Sequence, residues 1–249
     1  MERSHAPRAI AGFILIAAAG TAACSGGGSK ACGVNAAGYD PAIDPAAFTT
    51  TIDNRYLTLR PGTVARFRNS DGDVVEQDVT AEVKVVMGVS CLVVHDFSKS
   101  AGGEPIEDTR DYFAQDRSGN VWYFGEDTRA YVGTQVSTAG SWLAGEDCAR
   151  PGIVMGGAPK VGDHYRQEYL EGEAEDEAEV VSLSEKVTVP FGTFEGCVKT
   201  REFTRLAPGD VENKYYCPGV FGPLSSVDIG TIDAGKREEL VSVDGKTGP

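Results

Sequence analysis

From Phe48 onward the chain is written in strand-length pieces. Short runs of β-branched and aromatic residues are cut by Gly, Asp or Asn, and then another such run begins. No later stretch keeps apolar residues at helical spacing for more than about three turns, and no repeat of fixed period is visible. A chain of this kind can bury its apolar side chains only by pairing each run with another, so the expected fold is all-β or nearly so.

The turns can be placed. Thr63 to Arg68 and Asp73 to Val79 flank Asp71-Gly72, a strong two-residue hairpin signal. Ala81 to Val86 and Cys91 to Phe97 flank Met87-Gly88. Asp111 to Gln115 and Val121 to Gly125 flank Asp116-Arg117-Ser118-Gly119-Asn120. With Ser118-Gly119 as the turn, Gln115 is expected opposite Trp122 and Phe113 opposite Phe124. Tyr112, Phe113, Trp122, Tyr123 and Phe124 then put aromatic rings on both faces of one ribbon. One face can lie on the core; the other needs a second layer, a loop or a ligand.

Residues 133–160 are rich in Gly, Ala and Pro without periodicity, and read as a long ordered loop around Trp142 and Pro151-Gly152. Strands resume with His164 to Leu170, Val180 to Val189, Val198 to Leu206, Val211 to Cys217 and Glu238 to Val243. The acidic run Glu171 to Glu179 reads as a solvated hairpin end, because like charges repel and extend.

The opening residues bear on location. Arg3 and Arg8 precede an apolar run from Ala9 to Ala19, and Ala22-Ala23 are small residues ahead of a cysteine, the order of a secretory signal. Thr21-Ala22-Ala23-Cys24 resembles the lipobox of bacterial lipoproteins, with Thr21 where leucine is usual. The alternative is an ordinary secretory peptide cut somewhere after Ala18, with Cys24 left as a plain thiol or a disulfide half. On the lipoprotein reading, residues 1–23 are the signal peptide and Cys24 carries the lipid, palmitate among its acyl chains. Residues 24–47 form a flexible Gly/Ser-led tether, and 48–249 form the β-rich domain. Two or three acyl chains on one cysteine would hold the protein permanently on a bacterial membrane, outside the cytoplasm.

Five further cysteines, Cys32, Cys91, Cys148, Cys197 and Cys217, are scattered without a Cys-x-x-Cys pair. An oxidising compartment favours two disulfides and leaves one thiol over; the pairing is not readable. The chain has three histidines, of which only His95 and His164 lie beyond the leader, so no multi-histidine metal centre can be built. Gly26 to Lys30 follows no strand and lacks Gly-Lys-Ser/Thr, and no cofactor motif is present. A formal net charge of −14 argues against nucleic acid as a partner and against lying flat on anionic lipid.

Arg110, Asp111, Glu126 and Asp127 are expected side by side at the open end of the aromatic hairpin, with Glu107 and Asp108 near them. Carboxylates beside Trp and Tyr suit a cationic or sugar ligand, and an apolar groove suits a lipid. The candidate ligand-binding set is therefore Tyr112, Trp122, Tyr123, Glu126, Asp127 and Trp142; simple cross-strand ion pairing is the bland alternative. No residue is assigned a catalytic role. A glycan-active hydrolase would pair Glu126 or Asp127 with Glu107 or Asp108. A structural surface protein would have no small ligand at all. His95 and Asp96, adjacent in a strand, point to opposite faces and make no triad, and His164 reads as structural. Asp116-x-Ser118-x-Asn120 suits a tight turn better than a calcium loop.

Three segments, DYFAQD with GNVWYFGEDT (111–128), VTVPFGTFEGC (187–197) and KYYCPG (214–219), resemble a signature of uncharacterised exported lipoproteins of bacteria. The resemblance implies a single domain of curved antiparallel sheet, akin to the open half-barrels of lipoprotein carriers, with few short helices. It supplies no activity and no catalytic residues.

Overall fold

The computed structural model describes residues 38–228, 230 and 234–245. The leader, Cys24, Cys32 and the tether as far as residue 37 lie outside the described residues.

Thirteen strands follow one hydrogen-bonded path. In chain order they are β1 (Val64–Asn69), β2 (Val74–Val86), β3 (Val89–Lys99), β4 (Pro105–Asp116), β5 (Val121–Val132), β6 (Arg150–Met155) and β7 (His164–Arg166). Then come β8 (Glu168–Tyr169), β9 (Asp176–Val189), β10 (Gly192–Thr204), β11 (Val211–Tyr216), β12 (Pro223–Asp228) and β13 (Arg237–Asp244). The two ends of the path, β7 and β8, are halves of one segment separated only by Gln167. Arg166 lies opposite Glu177 on β9, and Glu168 lies opposite Pro151 on β6, so this segment bridges both flanks. The remaining join is between the first and last strands, where Asn69 faces Glu238 and Val64 faces Asp244. The result is a nearly closed antiparallel barrel in which strands run in sequence order. The mainly β, single-domain fold expected from the sequence is present, and the sheet passes well beyond a half-barrel.

The strands form for the reason their patterns suggest. On β1, Ala65 and Phe67 are buried, while Arg66 on the outer wall bonds Glu76 at 2.8 Å and reaches Asp244. Register in the aromatic hairpin differs by one residue from expectation. The Asp116 N–H donates to the Asn120 carbonyl, closing a three-residue loop, so Phe113 faces Tyr123 and Ala114 faces Trp122. Asp116 spends its side chain on the turn, accepting from the Ser118 and Asn120 N–H groups at 2.8 and 3.0 Å.

The stretch 133–160 is not a loop throughout. It contains short strands at Gln135–Ser137 and Trp142–Leu143, and β6 is part of the barrel wall. Its small-residue composition has a packing reason: a Cβ on Gly152 would lie 2.3 Å from the carbonyl carbon of Gln167, so only glycine lets β6 meet the β7–β8 segment. The acidic run is likewise divided. Glu171, Gly172 and Glu173 are an exposed turn, but Asp176 and Glu177 are buried in β9. Like charge made the run look solvated; pairing of Glu177 with His164 (2.8 Å) and Arg205 (2.7 Å) lets that carboxylate lie flat against the wall.

One end of the barrel is filled. A hairpin of Ile52–Asp53 with Thr58–Leu59 inserts Ile52, Leu57 and Leu59 into the core. Asn54 fastens it under the β4–β5 turn, donating to the carbonyls of Gly119 (2.8 Å) and Gly156 (3.0 Å). Among the described cysteines, Cys197 and Cys217 form a disulfide between neighbouring strands, Cys148 is disulfide-bonded, and Cys91 is a buried free thiol.

Candidate functional site

Cross-strand rows on β3, β4 and β5 describe the inside of the barrel from its filled end upward. Leu92, Phe113 and Tyr123 form one row, then Val94, Asp111 and Glu126, then Asp96, Thr109 and Thr128, then Ser98, Glu107 and Ala130. Polarity therefore increases with distance from the filled end. The opposite wall continues the acidic layer with Glu168, Asp176, Glu202 and Glu238, all buried.

A β-bulge makes the second row possible. Tyr123 and Glu126 are three residues apart and would point to opposite faces of a regular strand. The register shift between Phe113–Tyr123 and Asp111–Glu126 absorbs one residue at Gly125. Gly125 has φ +132°, and a Cβ there would lie 2.4 Å from the Trp142 carbonyl oxygen. Both Tyr123 and Glu126 thus face inward, and the Tyr123 hydroxyl donates to Asp111 at 2.6 Å.

Among the described residues, the opposite wall encloses one cation. Lys214 Nζ lies 3.1 Å from Glu202 Oε2 and 3.1 Å from Glu212 Oε1, wholly enclosed. Burial alone would strip its proton, but the two carboxylates hold its pKa above the ordinary lysine value. Glu202 is saturated: Thr200 (2.7 Å), Tyr216 (3.1 Å) and Gln167 (3.1 Å) all donate to it.

Among the described residues no cation is bonded to the acids of β3–β5, Asp96, Glu107, Asp111 and Glu126. Burial pushes Asp96 up to about 7, against the Gln77 hydrogen bond that favours its charged form. Burial likewise takes Glu107 and Glu168 up to about 7. Asp111, Glu126, Asp176 and Glu238 stand well above the ordinary carboxylate range, first through burial and then through the charges of neighbouring acids. Buried acceptor atoms without a hydrogen-bond partner concentrate here: Asp111 Oδ2, Glu126 Oε2, Glu238 Oε2 and Gln77 Oε1.

The six residues singled out from the sequence divide between the two faces of the wall. Tyr123, Glu126 and Trp142 come together on the inner side, where Trp142 meets the Tyr123 ring edge-on at 5.3 Å. Trp122 lies on the outer side, donating to Asp116 at 2.9 Å and covered edge-on by Phe48. Tyr112 is also outside, with Lys84 Nζ 5.8 Å from its ring centre, and Asp127 is exposed. Glu107 faces inward with Glu126, whereas Asp108 is outside, bonded to His95 at 2.8 Å. Asp96, Glu168, Asp176, Glu202, Lys214 and Glu238 were not legible as site residues.

Among the described residues no three His, Cys, Asp or Glu side chains converge as a metal-ligand set. A separate hollow of about 340 Å³ on the outer wall, lined by Arg68, Pro190, Arg237 and Glu239 among others, is partly neutralised where Arg237 lies 3.7 Å from Glu239.

No family model and no curated protein matches the chain. Two solved structures resemble it loosely. One, from Bacteroides fragilis, is named as an exported protein with a YmcC-like fold; it is 14% identical with a TM-score of 0.46, over 77% of this chain and 99% of that one. The other is named as a lipoprotein, from Parabacteroides distasonis; it is 10% identical with a TM-score of 0.41, over 77% of this chain and 99% of its own.

Proposed function

We propose that this chain is a lipid-anchored protein of a bacterial envelope that holds a small ligand inside its barrel, without catalysing a reaction on it. The leader and Cys24 support the anchoring, and the Gly/Ser run after Cys24 gives the domain its reach from the membrane. One observation carries the ligand. The acidic layer keeps Asp111 Oδ2, Glu126 Oε2, Glu238 Oε2 and Gln77 Oε1 out of solvent with nothing bonded to them. An unsatisfied buried polar group costs about 1–3 kcal/mol, and more when charged, so four acceptors in one layer weigh heavily on a domain of ordinary stability. A bound molecule that donates hydrogen bonds removes that cost and would be stabilised by the same amount.

The test is native mass spectrometry of the full-length protein extracted in mild detergent from the membranes of its own host. The expected result is a protein mass that includes acyl chains on Cys24, together with a small molecule that leaves on collisional activation and is absent from Asp111→Asn. A protein that carries no small molecule in any preparation, with water alone on those acceptors, overturns the ligand-binding role.

A further inference from the structure

We propose that the ligand presents a primary ammonium group, which sits between Asp111 and Glu126 inside the barrel. The inference rests on the reading that the barrel holds a ligand, and it goes on to name that ligand's chemistry.

The inside of the barrel already contains the interaction in question. Lys214 places an ammonium between two carboxylates, Glu202 and Glu212, at 3.1 Å from each. Asp111 and Glu126 form a second carboxylate pair, directly opposite each other on β4 and β5, and no ammonium comes with it. Among the described residues, the charged groups that bear on these two are Asp96, Glu107, Glu168 and Asp176, all of them acids. The orphaned atoms of the pair itself, Asp111 Oδ2 and Glu126 Oε2, are carboxyl oxygens that accept hydrogen bonds, as do Glu238 Oε2 and Gln77 Oε1; Ser98 Oγ and Trp142 Nε1 are orphaned on the same inner side. The missing partner is therefore a donor, and a cationic one. An ammonium supplies three N–H donors from a single compact charge, enough for Asp111 Oδ2 and Glu126 Oε2 with one to spare.

Competing occupants fit less well. A divalent metal needs several oxygen or nitrogen ligands at one point, and no three His, Cys, Asp or Glu side chains converge that way among the described residues. A quaternary ammonium has charge but no N–H to give the orphaned oxygens. A neutral sugar offers hydroxyl donors but no positive charge of the kind Lys214 brings to Glu202 and Glu212. The Tyr123 and Trp142 rings, 5.3 Å apart, border the pair and suit a cation alongside an apolar stem.

The experiment is calorimetric titration of the full-length protein in detergent, paired with thermal melting. The probes are 1,4-diaminobutane, glucosamine, tetramethylammonium, 1,4-butanediol and calcium chloride. Binding by 1,4-diaminobutane or glucosamine, with none by tetramethylammonium or butanediol, is expected; whichever amine binds distinguishes an aliphatic source from an amino sugar. Asp111→Asn and Glu126→Gln should each weaken that binding at least about tenfold, as loss of a charge-assisted hydrogen bond implies. Each replaces a buried carboxyl by a near-isosteric amide, so a normal melt certifies the fold, and either variant suffices if the other misfolds.

Calcium binding in place of amine binding overturns the inference, as does amine binding unchanged in a folded variant. If no amine binds but mass spectrometry finds a neutral molecule retained, the ammonium assignment falls and the ligand-binding role stands. If neither is found, both fall.

Discussion

Asp111 and Glu126 face each other directly across β4 and β5, and each keeps one carboxyl oxygen with no partner. Two acids in such a place repel each other when ionised and cost desolvation even when only one is charged.

The first prediction separates repulsion from hydrogen bonding. Asp111→Asn removes one buried carboxyl and should raise the urea midpoint at pH 7.5, by about 1–2 kcal/mol of stability. Tyr123→Phe leaves Asp111 Oδ1 without the donor now 2.6 Å away and should cost about 1–3 kcal/mol. A stabilised Tyr123→Phe protein would contradict this account of the layer.

The second concerns pH. Asp96, Glu107 and Glu168 have folded-state pKa values of about 7, above those of the unfolded chain. The folded state therefore holds protons that the unfolded state has released. The stability this gives is fully present below about pH 4 and is lost as pH rises through about 7. Glu177 works the other way: burial opposes its charge, but Arg205, Arg166 and His164 lower its pKa, a contribution lost only on acidification below the ordinary carboxylate range. Melting at pH 5 should exceed that at pH 8 by at least about 5 °C in the unliganded protein. A flat or rising profile over that interval would show that the buried acids do not govern stability.

The third tests how the barrel closes at β6. Gly152→Ala forces a Cβ to 2.3 Å from the Gln167 backbone, so β6 and the β7–β8 segment must separate. A loss of about 3 kcal/mol or more is expected, as for overpacking against rigid backbone. Hydrogen exchange should speed up selectively at residues 164–169. Protection unchanged there would mean that the two segments have more slack than the geometry allows.

The fourth isolates the internal cation. Lys214→Met strands Glu202 and Glu212 and should cost about 3–5 kcal/mol, the toll of breaking a buried pair. Adding Glu202→Gln should return part of it, measured as a double-mutant cycle in urea. Additive losses would place no coupling between Lys214 and Glu202.

What was legible in the sequence follows from the range of the signals. Turn chemistry is local, so the hairpins at Asp71-Gly72 and around Ser118-Gly119 could be placed to within a residue. Strand character is local too. Barrel closure is not: nothing around Gln167 announces a segment that pairs on both flanks, and Gly152 reads as a loop residue until its neighbour is known. The acidic layer was hidden because β4 is polar on both faces. Glu107, Thr109 and Asp111 alternate with Asp108 and Arg110, and either set could have faced water. Parity with Phe113, an aromatic that has to be in the core, was the available signal for the inner set. It did not extend to Glu126, since the bulge at Gly125 breaks parity on β5. Asp176 was masked by the charge of its neighbours.

The sequence-order arrangement of the barrel also governs how it can be made. Each hairpin ladder joins strands close in the chain, so the wall can assemble piece by piece from the N-terminal side with small entropic cost at each step. The ladder between β13 and β1 spans the longest stretch of chain, since it joins residues 237–244 to residues 64–69. Until the C-terminal strand arrives, both flanks of that gap are raw sheet edges able to recruit a neighbouring chain. The final strand is thus the step that turns an aggregation-prone ribbon into a closed wall with no edge to offer.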